Sequence, residues 1–206
     1  MKGYFITFEG PEKSGKSTQA KLLQQYLSKK GFSCLFIREP GSTILGEKIR
    51  KVLLDKNNTH ISYAAEMLLY MAARAQIVKD VIAPALKKGK IVICDRFLDS
   101  TIVYQGYGLG MDVETIKKIG EFVTCGIEPD ITVLLDLGAR ESLFKQNHKK
   151  DRIELRSKKY HDKVRKGYLS LAKKNPRRIK IVEVKENALS TQRNIRNIID
   201  RCLLKK

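Results

Sequence analysis

The chain has 206 residues, 42% of them hydrophobic, and carries 41 Lys and Arg against 22 Asp and Glu, a formal net charge of +19. That apolar share suits one cored domain over residues 1–206 and argues against a disordered chain; no apolar run approaches the roughly 18 residues of a membrane span. The four cysteines (Cys34, Cys94, Cys125, Cys202) lack paired spacing, which argues against a zinc site or a disulfide framework and for thiols in a reducing cytoplasm. The charge is lopsided: residues 1–139 hold 19 basic and 15 acidic side chains, residues 140–206 hold 22 and 7. Such asymmetry first suggests a polyanionic partner, nucleic acid included.

In chain order, Tyr4–Phe8 reads as a β-rich run, too short and too soon followed by Glu9 for a signal peptide. A glycine-containing loop follows, then a helical pattern from Lys16 to about Lys30 closed by Gly31. Ser33–Ile37 is a second strand. Glu66–Lys88 reads as one long helix with Pro84 inside it and Gly89 after a basic last turn. Ile91–Cys94, Ile131–Leu135 and Ile179–Val184 are three further strands, and a final helix covers about Leu189–Leu204. The strands are continuous apolar runs without polar alternation, the pattern of strands buried on both faces of a parallel sheet. Strand and helix in alternation predict an α/β fold with a doubly wound, five-stranded parallel sheet and helices on both faces. Arg140–Lys150 is polar and basic, readable as a rim flap or as a solvated helix end.

The loop Gly10-Pro11-Glu12-Lys13-Ser14-Gly15-Lys16-Ser17 matches G-x4-G-K-[ST], between a strand and a helix as a phosphate-binding loop requires. Its glycines let backbone N–H groups face phosphate oxygens, and the helix after it adds a positive N-terminal end. Lys16 suits the β- and γ-phosphates and Ser17 a magnesium ion. A second ligand for the ion belongs at the end of another buried strand: Asp95 or Asp136. Asp95 is favoured because Arg96, a phosphate partner, follows it. Arg38, Arg50, Arg74 and Arg96 fall near predicted element ends, where guanidinium forks would suit an anionic second substrate.

Further blocks occur in order: Arg38-Glu39-Pro40-Gly41, Glu66 to Gln76 (EMLLYMAARAQ), Asp95 to Gly106 (DRFLDSTIVYQG), Pro129-Asp130, and Asp151-Arg152-Ile153-Glu154. With the loop GPEKSGKST they make the chain resemble the bacterial thymidylate kinase family from about residue 3 to 200. The resemblance implies a P-loop NTPase fold and direct in-line phosphorylation of dTMP to dTDP by ATP and Mg²⁺. It implies that Gly10 to Thr18 hold ATP, with Ser17 and Asp95 at the metal, and that Lys16, Arg96, Asp95, Lys13 and Arg152 are catalytic. Glu12, Arg38, Arg50, Tyr70, Arg74, Arg96, Ser100, Tyr104 and Gln105 would bind dTMP. Among them, Tyr70 would stack on the base, Arg74 would reach its carbonyl edge, and Tyr104 would crowd the sugar 2′ position. A basic lid over about 139–154, with Lys145, Lys149, Lys150 and Arg152, would close over ATP. Family members differ in whether the transition-state cation sits in the loop, at the position of Lys13, or in the lid. Arg152 is expected to do the main work and Lys13 to assist. A homodimer is implied, with the helix from Glu66 as an interface, and neither nucleic acid nor membrane is expected as a partner. Two rivals stay open from the sequence: a kinase for another nucleotide or a deoxynucleoside, and a P-loop nucleic-acid-binding regulator.

Overall fold

The computed structural model describes residues 3–138 and 150–203. Five strands, β1 (Tyr4–Glu9), β2 (Cys34–Arg38), β3 (Ile91–Asp95), β4 (Ile131–Asp136) and β5 (Ile179–Glu183), form one sheet in the order β2-β3-β1-β4-β5. Every neighbouring pair is parallel. All residues of β1 and β3 are buried, as their continuous apolar runs predict, whereas the edge strands β2 and β5 are only partly covered. The register sets Phe8 opposite both Asp95 and Val133, and Arg38 opposite Asp95. The carboxyl ends of the strands therefore share one edge of the sheet, where ligands of open α/β sheets bind.

Helix α1 (Lys16–Lys29) ends at Gly31, whose φ of 87° lets Phe32 N–H reach Leu27 O (3.1 Å) and its own N–H reach Ser28 O (3.0 Å). It packs beside α8 (Ala188–Leu203), and Leu23, Leu27, Ile195 and Ile199 cover Ile6, Phe8, Val133 and Leu135 on one face of the sheet. On the other face, the single helix expected over Glu66–Lys88 is three continuous pieces. These are α3 (Tyr63–Ile77), a π-helical stretch Val78–Ile82, and α4 (Ala83–Lys87). Pro84 explains the break: it has no N–H for the α-helical bond, and the amide of Ala83 reaches back five residues to Val78 O.

Four helices escaped the sequence reading. They are α2 (Ile44–Leu54), α5 (Leu98–Thr101) running into a second π-helical stretch Ile102–Gly108, α6 (Val113–Thr124) and α7 (Lys158–Lys174). Three carried visible start signals, since Thr43, Asp112 and Ser157 each accept a backbone N–H from the first turn. Of the predicted lid, residues 139–149 with Lys145 and Lys149 lie outside the described residues.

Candidate active site

The phosphate-binding loop leaves β1 at Gly10, whose φ is 137° and where a Cβ would stand 2.4 Å from Leu135 O. Only glycine fits there. Gly15 caps α1 in the left-handed region, and the first amide of the helix to find an acceptor inside it is Gln19 N–H, bonded to Gly15 O. The amides of Lys16, Ser17 and Thr18 precede it, in the unsatisfied first turn. Lys16 Nζ is folded onto Pro11 O at 2.6 Å, and burial, helped by Arg96, pushes its pKa down to about 8 against the pull of Asp95, Glu12 and Glu9.

That depression makes a prediction. The folded chain releases the Lys16 proton near pH 8, while the unfolded chain keeps it to about 10.5. Burying the charge thus costs stability below pH 8, and the cost fades between the two values. A triphosphate needs the charged form. ATP affinity should fall as pH rises above about 8, with a proton taken up on binding. Calorimetry in buffers of different ionisation enthalpy reads this, and a flat affinity from pH 7 to 10 refutes it.

Ser17 Oγ donates to Asp95 Oδ2, and Asp95 Oδ1 is buried without a partner among the described residues. Asp136, the other sequence candidate, is occupied elsewhere: Arg165 clamps it through Nε (2.7 Å) and Nη2 (2.9 Å) and, despite burial, holds its carboxyl below the usual range. A hydroxyl and a carboxylate with a spare oxygen, beside the loop, are the hard oxygen set that Mg²⁺ takes, the rest of its shell being water and phosphate. The residues fit the ion.

Arg96, at φ 71° just past β3, joins the loop to the opposite wall. Its Nη1 donates to Gly10 O, Ser100 Oγ and Tyr168 Oη at 3.1, 3.1 and 3.2 Å. Its Nη2 donates to Glu12 Oε1 (2.9 Å) and Tyr104 Oη (3.1 Å), and the guanidinium lies over the Tyr104 ring. Tyr104 Oη also donates to Glu12 Oε1 at 2.6 Å. Burial works against the Glu12 charge, yet Arg96 and Lys16 beside it hold its carboxyl below the ordinary value.

Behind Arg96 stands Glu9, fully buried, which accepts from Phe97 N–H (2.8 Å), Ser100 Oγ (2.5 Å) and Tyr168 Oη (2.8 Å). Burial and the neighbouring Asp99 push its pKa up. The sequence reading stopped β1 one residue short of Glu9; a carboxylate closing an apolar central strand was the available signal. Tyr168 sits on the unpredicted α7 and had none.

Beside these groups lies a cavity of about 310 Å³. Glu12, Lys13, Lys16 and Ser17 line it from the loop, and Asp95, Arg96, Ser100, Tyr104 and Gln105 from β3 and the helix after it. Tyr70 and Arg74 line it from α3, Arg38 and Arg50 from β2 and α2. Arg74 is buried and held by Glu39 Oε2 (2.8 Å to Nε) and Thr101 Oγ1 (3.0 Å from Nη1). Burial lifts Glu39 to about 7 although Arg74 pulls the other way. Arg50 Nη1 rests on Pro40 O at 3.0 Å. Arg38, at the exposed mouth, is forked by Glu47 at 3.0 Å to each oxygen.

Arg152, predicted as catalytic, does not line the cavity. Its Nε donates to Leu53 O (2.8 Å) and its Nη2 lies 2.6 Å from Glu66 Oε2, while its neighbours Asp151, Ile153 and Glu154 line the wall. In this arrangement a buried carboxylate and a backbone carbonyl hold the guanidinium that the sequence assigned to the transition state. Lys13 does line the cavity.

A family model described as "Thymidylate kinase" matches residues 8–195 of the chain. The chain belongs to the thymidylate kinase family. It is a phosphotransferase, phosphorylating dTMP to dTDP with ATP. A thymidylate kinase of Thermoanaerobacter sp. (strain X514) is 44% identical over 204 residues, covering 98% of this chain and 100% of that one. A thymidylate kinase of Symbiobacterium thermophilum is 46% identical over 200 residues, 97% and 94% of the two chains. The crystal structure of thymidylate kinase from Ehrlichia chaffeensis superposes with a TM-score of 0.79 at 33% identity, over 97% of this chain and 99% of that one. No helix among the described residues is long and apolar enough to cross a membrane.

Proposed function

We propose that the cavity beside the loop is the dTMP site and the loop the ATP site, in one domain, with Arg96 as the group shared between them. The observation that carries this is the set of bonds Arg96 makes at once to Gly10 and Glu12 of the loop and to Ser100 and Tyr104 of the opposite wall. An acceptor phosphate beside Arg96 would replace some of these partners with its own oxygens, which a guanidinium fork binds bidentately. Arg38 and Arg50 would add to its grip at the mouth.

The acceptor is a phosphate that is largely a dianion at neutral pH, so no residue need remove a proton. What remains is in-line alignment and charge stabilisation of the transferring group, supplied by Lys16, Arg96 and Lys13. Ser17 and Asp95 would hold Mg²⁺, which when bound neutralises charge on the β- and γ-phosphate oxygens. Tyr70 would stack on the thymine, and Arg74, a donor only, would address its O4. Glu12 would accept from the 3′-hydroxyl, and the Tyr104 ring would exclude a 2′-hydroxyl by contact.

The test is initial-rate phosphorylation across nucleoside monophosphates with ATP and Mg²⁺. dTMP should exceed dCMP and UMP by roughly 10²-fold or more in kcat/KM; equal rates would remove the assigned base and sugar contacts.

The chain is also proposed to be a homodimer through α3 and α6. Ala65, Leu68 and Ala72 are exposed at one-turn spacing on α3, with Phe122 exposed on α6, which packs against it. Sedimentation velocity should give twice the 23.5 kDa chain mass; a monomer at micromolar concentration refutes it.

A further inference from the structure

Glu66 is fully buried, yet neither the reaction nor the fold alone accounts for its partners. Its Oε2 accepts from Arg156 Nη2 at 2.6 Å, and Arg152 Nη2 stands at ion-pair distance, also 2.6 Å. Its Oε1 accepts from Gln105 Nε2 at 2.8 Å. Gln105 lines the cavity and is itself buried.

A glutamine amide is an ambivalent reader. One end donates, the other accepts, and the two orientations have nearly the same shape. Arg74 cannot err in this way, since a guanidinium only donates. Gln105 can, unless something fixes it. A carboxylate carrying two guanidinium groups is an acceptor only. The amide nitrogen must therefore face Glu66, and the amide oxygen is left for the cavity; among the described residues nothing donates to that oxygen. An acceptor there matches the N3–H of thymine and opposes the N3 lone pair of cytosine. Arg74 by the same logic prefers a carbonyl at position 4 to an amino group.

We propose that Glu66 is a positioning residue for base selection: it fixes the sense of the Gln105 amide, so that the cavity accepts a pyrimidine bearing N3–H and rejects one with an N3 acceptor. The two arginines pair with Glu66 and tie it to the 150–156 turn, whose backbone Arg152 also anchors through Leu54 O at 3.2 Å. The inference rests on the reading that Gln105 faces the base.

The test is the ratio of kcat/KM for dTMP to that for dCMP. In Glu66→Gln the new carboxamide can donate to Gln105 and free its orientation. The ratio should fall about ten- to hundred-fold, mostly through a higher KM for dTMP. A parallel loss with both substrates, or an unchanged ratio, overturns the proposal, because a merely structural role would not favour one base. If Glu66→Gln alone does not fold, the charge-balanced double variant Glu66→Gln with Arg156→Met is read by the same criterion against Arg156→Met alone, whose ratio should match the parent. Gln105→Met separates the two readings. If it leaves the ratio unchanged, Gln105 does not touch the base and the site assignment fails. If it lowers the ratio while Glu66→Gln does not, only the role of Glu66 fails.

Discussion

Replacing Arg96 with methionine should lower kcat/KM for dTMP by roughly 10³-fold, the range seen when one preorganised cation or donor is removed from a phosphoryl- or acyl-transfer site. Methionine keeps much of the volume and none of the donors. The loss should appear in kcat as well as KM, because Arg96 is proposed to act on the transferring group and not only on the resting acceptor. Arg96→Lys should recover little of it: one ammonium cannot reproduce a fork that serves Gly10, Ser100 and Tyr168 from one nitrogen and Glu12 and Tyr104 from the other. The variant should also melt earlier, since Glu12 loses its ion-pair partner. An Arg96→Met enzyme within tenfold of the parent would show that the phosphates bind elsewhere in the cavity.

The second large contrast is between Lys13 and Arg152. Lys13→Ala should reduce kcat by roughly 10²-fold with little change in melting temperature, as a half-exposed loop lysine lining the cavity loses its charge but no packing. Arg152→Ala should do the reverse. Removing one of two arginines from a buried carboxylate costs about 2 kcal/mol, less than leaving it wholly unpaired, and lowers the melting temperature by roughly 4–8 °C. Its kcat, measured well below that transition, should stay within about tenfold. A collapse of kcat in Arg152→Ala without a change in melting would mean that the guanidinium leaves Glu66 during turnover, and would restore it as the transition-state cation.

The strands and the loop were legible in the sequence for one reason: both depend on local pattern. A buried central strand is a continuous apolar run, and Gly10 is required where a Cβ would strike Leu135 O. The pairing of Ser17 with Asp95 instead of Asp136 was legible through Arg96, although the reason Asp136 is excluded, its clamp by Arg165, was not. What stayed hidden was long-range. Tyr168, Glu66 and Arg156 have no local signature, because their roles follow from helices crossing that are far apart in the chain. The partner of Arg152 was hidden for the same reason. A basic residue in a basic stretch looks like a free cation until its buried carboxylate, 86 positions earlier, is seen.

The π-helical stretch Val78–Ile82 carries a consequence of its own. It sets the angular phase between Tyr70 and Arg74, which face the cavity, and Ala85, which faces the sheet. Inserting one residue into either flanking α-helical piece, with the piece staying α-helical, would rotate one half against the other by about 100°. Both halves would keep every side chain and still be unable to face the cavity and the sheet together. Along this helix, residue number is constrained as tightly as residue identity, so natural or engineered variation there should tolerate substitutions far better than single-residue insertions or deletions.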